Sequence, residues 1–241
     1  MSRVLLALVA LCCAGLGAAE SPDVAKLRAR MAEKRPMTWL FTGDSITHGA
    51  LHTKGWRGFT EIFAERIRFE LNRRSDMVVN TGISGDTTAG IVAALDWRLT
   101  RFQPDVTFVM FGMNDSVIGP DLPNYEANLR KVVAEARKNG GIAVLMRVNP
   151  CLPGSAQEKR HAKLEAYMDA VAKVAADEKL ILVDHWADWR KDPKSIAPMM
   201  NDEVHPNARG HQEMAIRILQ AVGLHDPRSF TGRITAPAQG K

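Results

Sequence analysis

Five short runs that are almost wholly apolar constrain the fold more than any other feature of this chain. They are MTWLFTG (37–43), MVVNTG (77–82), DVTFVMFG (105–112), IAVLMRV (142–148) and LILVD (180–184). A strand with one wet face alternates apolar and polar residues; these runs do not alternate. That is the pattern of strands covered on both faces in a parallel sheet. Parallel neighbours need long crossovers, and the intervening stretches supply them. In 58–74, Phe59, Ile62, Phe63 and Ile67 recur at helical spacing, while Glu61, Glu65 and Arg68 fall on other faces. Stretch 124–141 repeats the pattern and stops at a glycine pair. A third such stretch covers 158–179. A fourth covers 206–223, with Pro206 expected in its first turn.

Alternating strands and helices with short connections build right-handed βαβ units. The expected fold class is therefore α/β, a flavodoxin-like three-layer α/β/α sandwich on a five-stranded parallel sheet of order 2-1-3-4-5. Ligands of such sheets bind beyond the carboxyl ends of the strands.

The 241 residues, 46% hydrophobic and 24% charged, suit one globular domain. Residues 1–19 stand apart from it. MSRVLLALVALCCAGLGAAE carries an early arginine, an apolar stretch from Val4 to Leu16, and small residues at Gly17 and Ala19. This is the pattern of a secretory signal cleaved after Ala19, and the apolar stretch is short for a bilayer span. A retained N-terminal anchor helix is the alternative. Lipid attachment at Cys12 or Cys13 is disfavoured, because Leu11 stands where a small residue is wanted. The expected organisation is a signal at 1–19, a lead-in at 20–35, the domain at 36–223 and a loosely attached tail at 224–241. The protein is accordingly expected to be exported, secreted or periplasmic, with no stable membrane insertion once the signal is removed.

Cleavage would leave Cys151 as the one cysteine, so no intramolecular disulfide is available. Cys151 precedes Leu152-Pro153 and reads as a structural cysteine in a loop rather than a catalytic thiol. The formal charge of +5 drops to +4 with loss of Arg3. Basic residues are interspersed with acidic ones and form no aromatic-interleaved stripe, which gives no support to nucleic-acid binding.

Unusual polar residues follow the apolar runs. Gly43-Asp44-Ser45 follows the first, Asn80 to Asp86 the second and Gly112-Met113-Asn114-Asp115 the third; MNDEVHPNARGH carries Asp202, His205 and Pro206. Convergence at one sheet edge would supply the chemistry of acyl transfer. A serine hydroxyl needs an imidazole to take its proton, and His205 before Pro206 is the candidate base, held in extended backbone. Asp202 is placed to fix the tautomer of His205 and stabilise its imidazolium. The Ser45 amide, the Gly85 amide and the Asn114 side-chain amide are the right kinds of donor for an oxyanion hole. Each element alone also fits capping or turn chemistry.

Together, GDSIT, NTGISGDT, GMND and DEVHPN resemble the four sequence blocks of the SGNH, or GDSL-like, hydrolase superfamily, in family order over about residues 37 to 222. The resemblance implies Ser45 as nucleophile, Asp202 and His205 as its triad partners, and Gly85 and Asn114 as oxyanion donors with the Ser45 amide. It also implies the flavodoxin-like sandwich, with no metal and no organic cofactor.

Competing readings are weaker. His48 and His52, with Asp44, would make a metal site only on a rigid helix, which Gly49 opposes; the lip of the cleft or solvent is the expected place for them. His211 is expected to cap or to lie on the surface. No Gly-x-Gly-x-x-Gly, Walker lysine or Gly-x-Ser-x-Gly elbow is present. Asp44 and Trp56 are candidate substrate contacts, Trp56 as a platform for a sugar ring. The expected partner is a small-molecule or polysaccharide ester, with short acyl groups on carbohydrates preferred. Lysophospholipase-like or thioesterase-like hydrolysis of longer chains is the alternative, and a non-catalytic carbohydrate-binding module is the reading outside catalysis.

Overall fold

In a computed structural model that describes residues 21–236, all five apolar runs carry strands of one parallel sheet. These are β1 (Thr38–Gly43), β2 (Met77–Asn80), β3 (Val106–Met110), β4 (Ile142–Arg147) and β5 (Ile181–Asp184), in the order β2-β1-β3-β4-β5. The helices among the described residues are α1 (Pro22–Ala32), α2 (Ser45–His48), α3 (Phe59–Glu65), α4 (Thr88–Ala93), α5 (Leu95–Arg98) and α6 (Asp115–Ile118). They continue with α7 (Leu122–Arg137), α8 (Ala156–Arg160), α9 (Leu164–Asp177), α10 (His185–Arg190) and α11 (Ala208–Ala221).

Helices α3 and α11 pack together on one face of the sheet, and α4, α7 and α9 on the other. The expected three-layer sandwich is the fold. Register pairs Phe41 with Phe108, and their rings stack at 4.3 Å. Phe63 of α3 meets both edge-on. Each of these rings is fully buried, and burial of one such side chain stabilises the fold by about 1.5–3 kcal/mol. The same register carries β1 and β3 to a common end at Gly43 and Met110. Helix starts are fixed by side chains: Asp121 accepts from Asn124 N at 3.0 Å, and Asn207 from Arg209 N at 2.9 Å and Gly210 N at 3.1 Å.

Several expectations are corrected. Strand β2 is partly exposed, because it is an edge strand and its outer side has no neighbouring strand among the described residues. The 58–74 helix changes to a π-turn at Arg66–Glu70, where Arg66 Nε donates to the Leu224 carbonyl oxygen at 3.0 Å. The 158–179 stretch breaks around His161 into α8 and α9. Pro206 stays outside α11, because Asn207 takes the cap and Pro206 bridges to Met200.

The lead-in carries structure of its own. It forms α1, which buries Val24 and Leu27 and sends Arg30 Nη1 to the Asp105 carbonyl oxygen at 3.0 Å. Nor is the tail loose over 224–236. Thr231 N donates to Glu70 at 3.1 Å, and Gln212 Oε1 accepts from Thr235 N and Ala236 N at 2.8 Å. The proposed signal segment lies outside the described residues. No described helix is long and apolar enough to cross a membrane.

Candidate active site

Ser45 sits where β1 ends and α2 begins. A Cβ on Gly43 would lie 2.2 Å from Thr47 Oγ1 and 2.5 Å from the Met110 carbonyl oxygen. Glycine is therefore what allows α2 to start so tightly against the sheet. Asp44 caps α2 by accepting from Ile46 N at 3.0 Å. Ser45 thus becomes the first helical residue, whose amide has no intrahelical acceptor.

Ser45 Oγ lies 2.9 Å from His205 Nε2. His205 Nδ1 lies 2.9 Å from Asp202 Oδ2 and 3.1 Å from Oδ1. With the imidazole proton on Nδ1 and donated to Asp202, Nε2 is left to accept the Ser45 hydroxyl proton. Burial pushes the Asp202 carboxyl up, but bonds from His205 N, Val204 N and the imidazole outweigh it and hold the carboxyl below its usual value. Asp202 stays ionised, as an orienting group must. The loop that carries both residues is closed by the Met200–Pro206 bridge and by Asn201 N donating to the His205 carbonyl oxygen at 2.8 Å.

Gly85 and Asn114 line the same cleft as Ser45 and His205, a space of about 590 Å³. That size suits a small ligand. Gly85 has φ +81° and open space where a Cβ would be, so its backbone conformation, not crowding, calls for glycine. Asn114 Nδ2 donates to the Asp86 carbonyl oxygen at 3.0 Å, and an amide nitrogen carries a second donor. Asp115 accepts from Thr88 N at 2.8 Å and Gly112 N at 3.1 Å, which ties the loop after β3 to the loop after β2. The arrangement offers a nucleophile with its base on one side and neutral donors on the other.

Two expected substrate contacts are placed elsewhere. Asp44 is fully buried and faces α2 rather than the cleft, because its side chain is used as a cap. Burial drives its carboxyl up to about 7, with the Asp115 and Asp86 charges adding to the rise and the Ile46 amide opposing it. Trp56 is 54% exposed and is not part of the cleft lining. His48 bonds Ser84 Oγ at 3.1 Å, and His52 lines the cleft. His211 is buried and accepts from Phe59 N, the first amide of α3, at 3.3 Å, so it caps that helix from the interior and does not lie on the surface. The Cys151 thiol is buried against Met113 and pushed up to about 12, chiefly by burial, which makes it a poor nucleophile.

The segment after the fourth apolar run, 149–161, reads from its sequence as a border of the cleft, and its Gln157, Arg160 and His161 do line it; the other walls were not legible beforehand. Val117 and Ile118 of α6 form an apolar side; Gln157, Arg160 and Glu203 form a polar one. A second cavity of about 440 Å³ adjoins across His161 and contains Trp186 and Arg190. His52, Asp202 and His205 also hold ligand-type atoms within 4.8 Å of one another. However, the two rings are stacked nearly parallel, so their in-plane lone pairs do not converge as a shared ion would need.

A fold of this class with this constellation is that of an ester hydrolase, and comparison with known proteins agrees. The GDSL-like Lipase/Acylhydrolase family matches residues 41–213. An acetylxylan esterase from Geobacillus stearothermophilus is 30% identical over 215 residues, 79% of this chain and 95% of the relative. Esterase TesA of Pseudomonas aeruginosa is 30% identical over 70% of this chain and 79% of its own. A solved structure of an acetyl xylan esterase from Geobacillus stearothermophilus superposes with a TM-score of 0.66 at 26% identity, covering 81% of this chain and all of that one. The chain belongs to the GDSL-like lipase/acylhydrolase family, within the SGNH hydrolase superfamily, and is an esterase of that family.

Proposed function

We propose that this protein is an exported serine esterase that removes acetate or other short acyl groups from carbohydrates. The observation that carries the mechanism is the unbroken chain of contacts from Ser45 Oγ through the His205 imidazole to Asp202. Ser45 attacks the ester carbonyl as His205 Nε2 takes the hydroxyl proton. The Ser45 and Gly85 amides and the Asn114 side chain receive the oxyanion. Collapse breaks the carbon–oxygen bond of the leaving alcohol, which takes the proton back from His205. Water, deprotonated by His205, then attacks the acyl-enzyme and releases the carboxylic acid and Ser45.

The similarity to acetylxylan esterase over nearly the whole relative supports a sugar-borne acetyl group. So does the polar wall of Gln157, Arg160 and Glu203, which suits a hydroxyl-rich alcohol portion. Residues 1–19 support export. One observation favours longer acyl chains instead: Ile118, on the apolar wall, is 67% exposed.

The test is an acyl-length series of p-nitrophenyl esters from acetate to palmitate, run beside acetate release from acetylated xylan. Wild type should prefer acetate and Ser45→Ala should be inactive on every ester. Preference for palmitate would replace the carbohydrate reading, and residual hydrolysis by Ser45→Ala would remove the serine mechanism.

A further inference from the structure

The His205 ring has two polar edges and two faces. Ser45 and Asp202 occupy the edges, and the ring of His52 covers one face, with centroids 3.7 Å apart and planes 13° from parallel. The edge contacts fix the ring within its own plane but resist tilting out of that plane only weakly. A flat partner on the face opposes the tilt directly.

The stack is built by the backbone rather than left to two free side chains. Asn201 Nδ2 donates to the His52 carbonyl oxygen at 2.9 Å, and Asn201 N donates to the His205 carbonyl oxygen at 2.8 Å. One residue therefore sets the spacing of both histidines. His52 itself lies in a 3-10 turn (Ala50–Thr53) that follows Gly49 at φ +77°, a conformation that favours glycine.

We propose that His52 is a positioning residue for the His205 base: its ring holds the imidazole plane against Ser45 and presents a neutral aromatic face to the imidazolium that forms as Ser45 attacks. This rests on the reading of Ser45, His205 and Asp202 as a catalytic triad. An aromatic face attracts a cation placed over it, whereas a second cation at the same place would repel it. The titratable groups facing His52 are His205 and Asp202 on the hairpin loop and His48 on α2. Burial, and then the His205 charge, favour the neutral form of His52, and Asp202 only partly opposes them. His52 thus remains an uncharged face at neutral pH.

The experiment compares His52→Ala, His52→Phe and His52→Lys with wild type on p-nitrophenyl acetate, with Ser45→Ala as control and thermal melting as a check of folding. His52→Ala should lower kcat about three- to tenfold with KM within about twofold, because the loss falls on the transition state. His52→Phe, flat and uncharged, should recover most of that loss. His52→Lys should be worse than His52→Ala and should move the acidic limb of the kcat/KM profile to lower pH, as a neighbouring cation disfavours the His205 imidazolium. Unchanged kcat in His52→Ala would overturn the proposal. So would equal losses in all three variants that track melting temperature, since packing alone would then explain them. Activity surviving in Ser45→Ala would instead strike the triad reading, whatever the His52 variants show.

Discussion

The guanidinium of Arg98, 1% exposed, pairs with the Asp86 carboxylate and donates to the Thr81 carbonyl oxygen at 2.8 Å. It thereby grips both ends of the loop that carries Gly85. Its Nη2 also approaches Gly43 O at 3.5 Å, next to the nucleophile turn. Removing the guanidinium in Arg98→Ala leaves a carboxylate and a carbonyl without their partner, at a cost of about 3–5 kcal/mol for a broken buried pair. Arg98→Lys restores a charge but not the fork, and should recover only part of the loss. Urea denaturation with parallel kinetics measures both. A stable Arg98→Ala enzyme with full kcat would show that the loop holds itself.

Asn114 should behave as a transition-state donor. Asn114→Ala is expected to lower kcat by about 10²–10³ with little change in KM. The loss of its bond to the Asp86 carbonyl oxygen should cost stability by only about 1 kcal/mol. Steady-state kinetics beside a melting curve separate these effects. A rise in KM at constant kcat would mean that Asn114 binds ground state and transition state equally.

Stability should fall as the solution is acidified from pH 6.5 towards pH 4. Burial drives His185 and His211 down from 6.5 to about 3, so in this window the unfolded chain takes up two protons that the native protein refuses. Stability from these histidines is complete above 6.5 and is lost as pH falls. Asp44, raised from 3.8 to about 7, acts the other way, since the native state alone holds its proton there. Two against one leaves a net loss of roughly 1 kcal/mol per pH unit; the depressed His52 and His161 add to it and the raised Asp115 opposes it. Neither ring nitrogen of His185 has a hydrogen-bond partner among the described residues, so His185→Leu is a tolerable probe. It should shrink the stability difference between pH 6.5 and pH 5 by about 1–2 kcal/mol in denaturant titrations. An unchanged difference would place the acid sensitivity elsewhere.

The strands were legible because a sheet covered on both faces writes itself as unbroken apolar runs. The polar residues that close them pointed to the site because parallel strands put their carboxyl ends on one edge. What escaped depends on distant partners. Helix α1 buries only Val24 and Leu27 among its eleven residues, too weak a period to recognise. The edge position of β2 follows from strand order and leaves little trace in four residues. Asp44 looked like a site residue because it precedes Ser45, yet its carboxyl is spent on Ile46 N. Nothing in the sequence singles out Arg98, since its acceptors are mainly backbone oxygens and a carboxylate on other segments. The His52 stack depends on Asn201, which lies 149 residues away in sequence.

Gly82 carries a consequence for how this cleft could evolve. A Cβ there would lie 2.7 Å from His48 N and 3.1 Å from the Thr47 carbonyl carbon, so the loop after β2 runs backbone against backbone with α2. Asn80 Nδ2 adds a bond to the Thr47 carbonyl oxygen at 2.8 Å. The proposed nucleophile and oxyanion donors are therefore joined as one rigid jaw that cannot be reshaped without losing its alignment. The opposing wall carries Gln157 and Arg160 of α8 together with Glu203, none of which is a member of the proposed triad or an oxyanion donor. Changes of ester preference should accumulate on that wall while the jaw keeps the same chemistry.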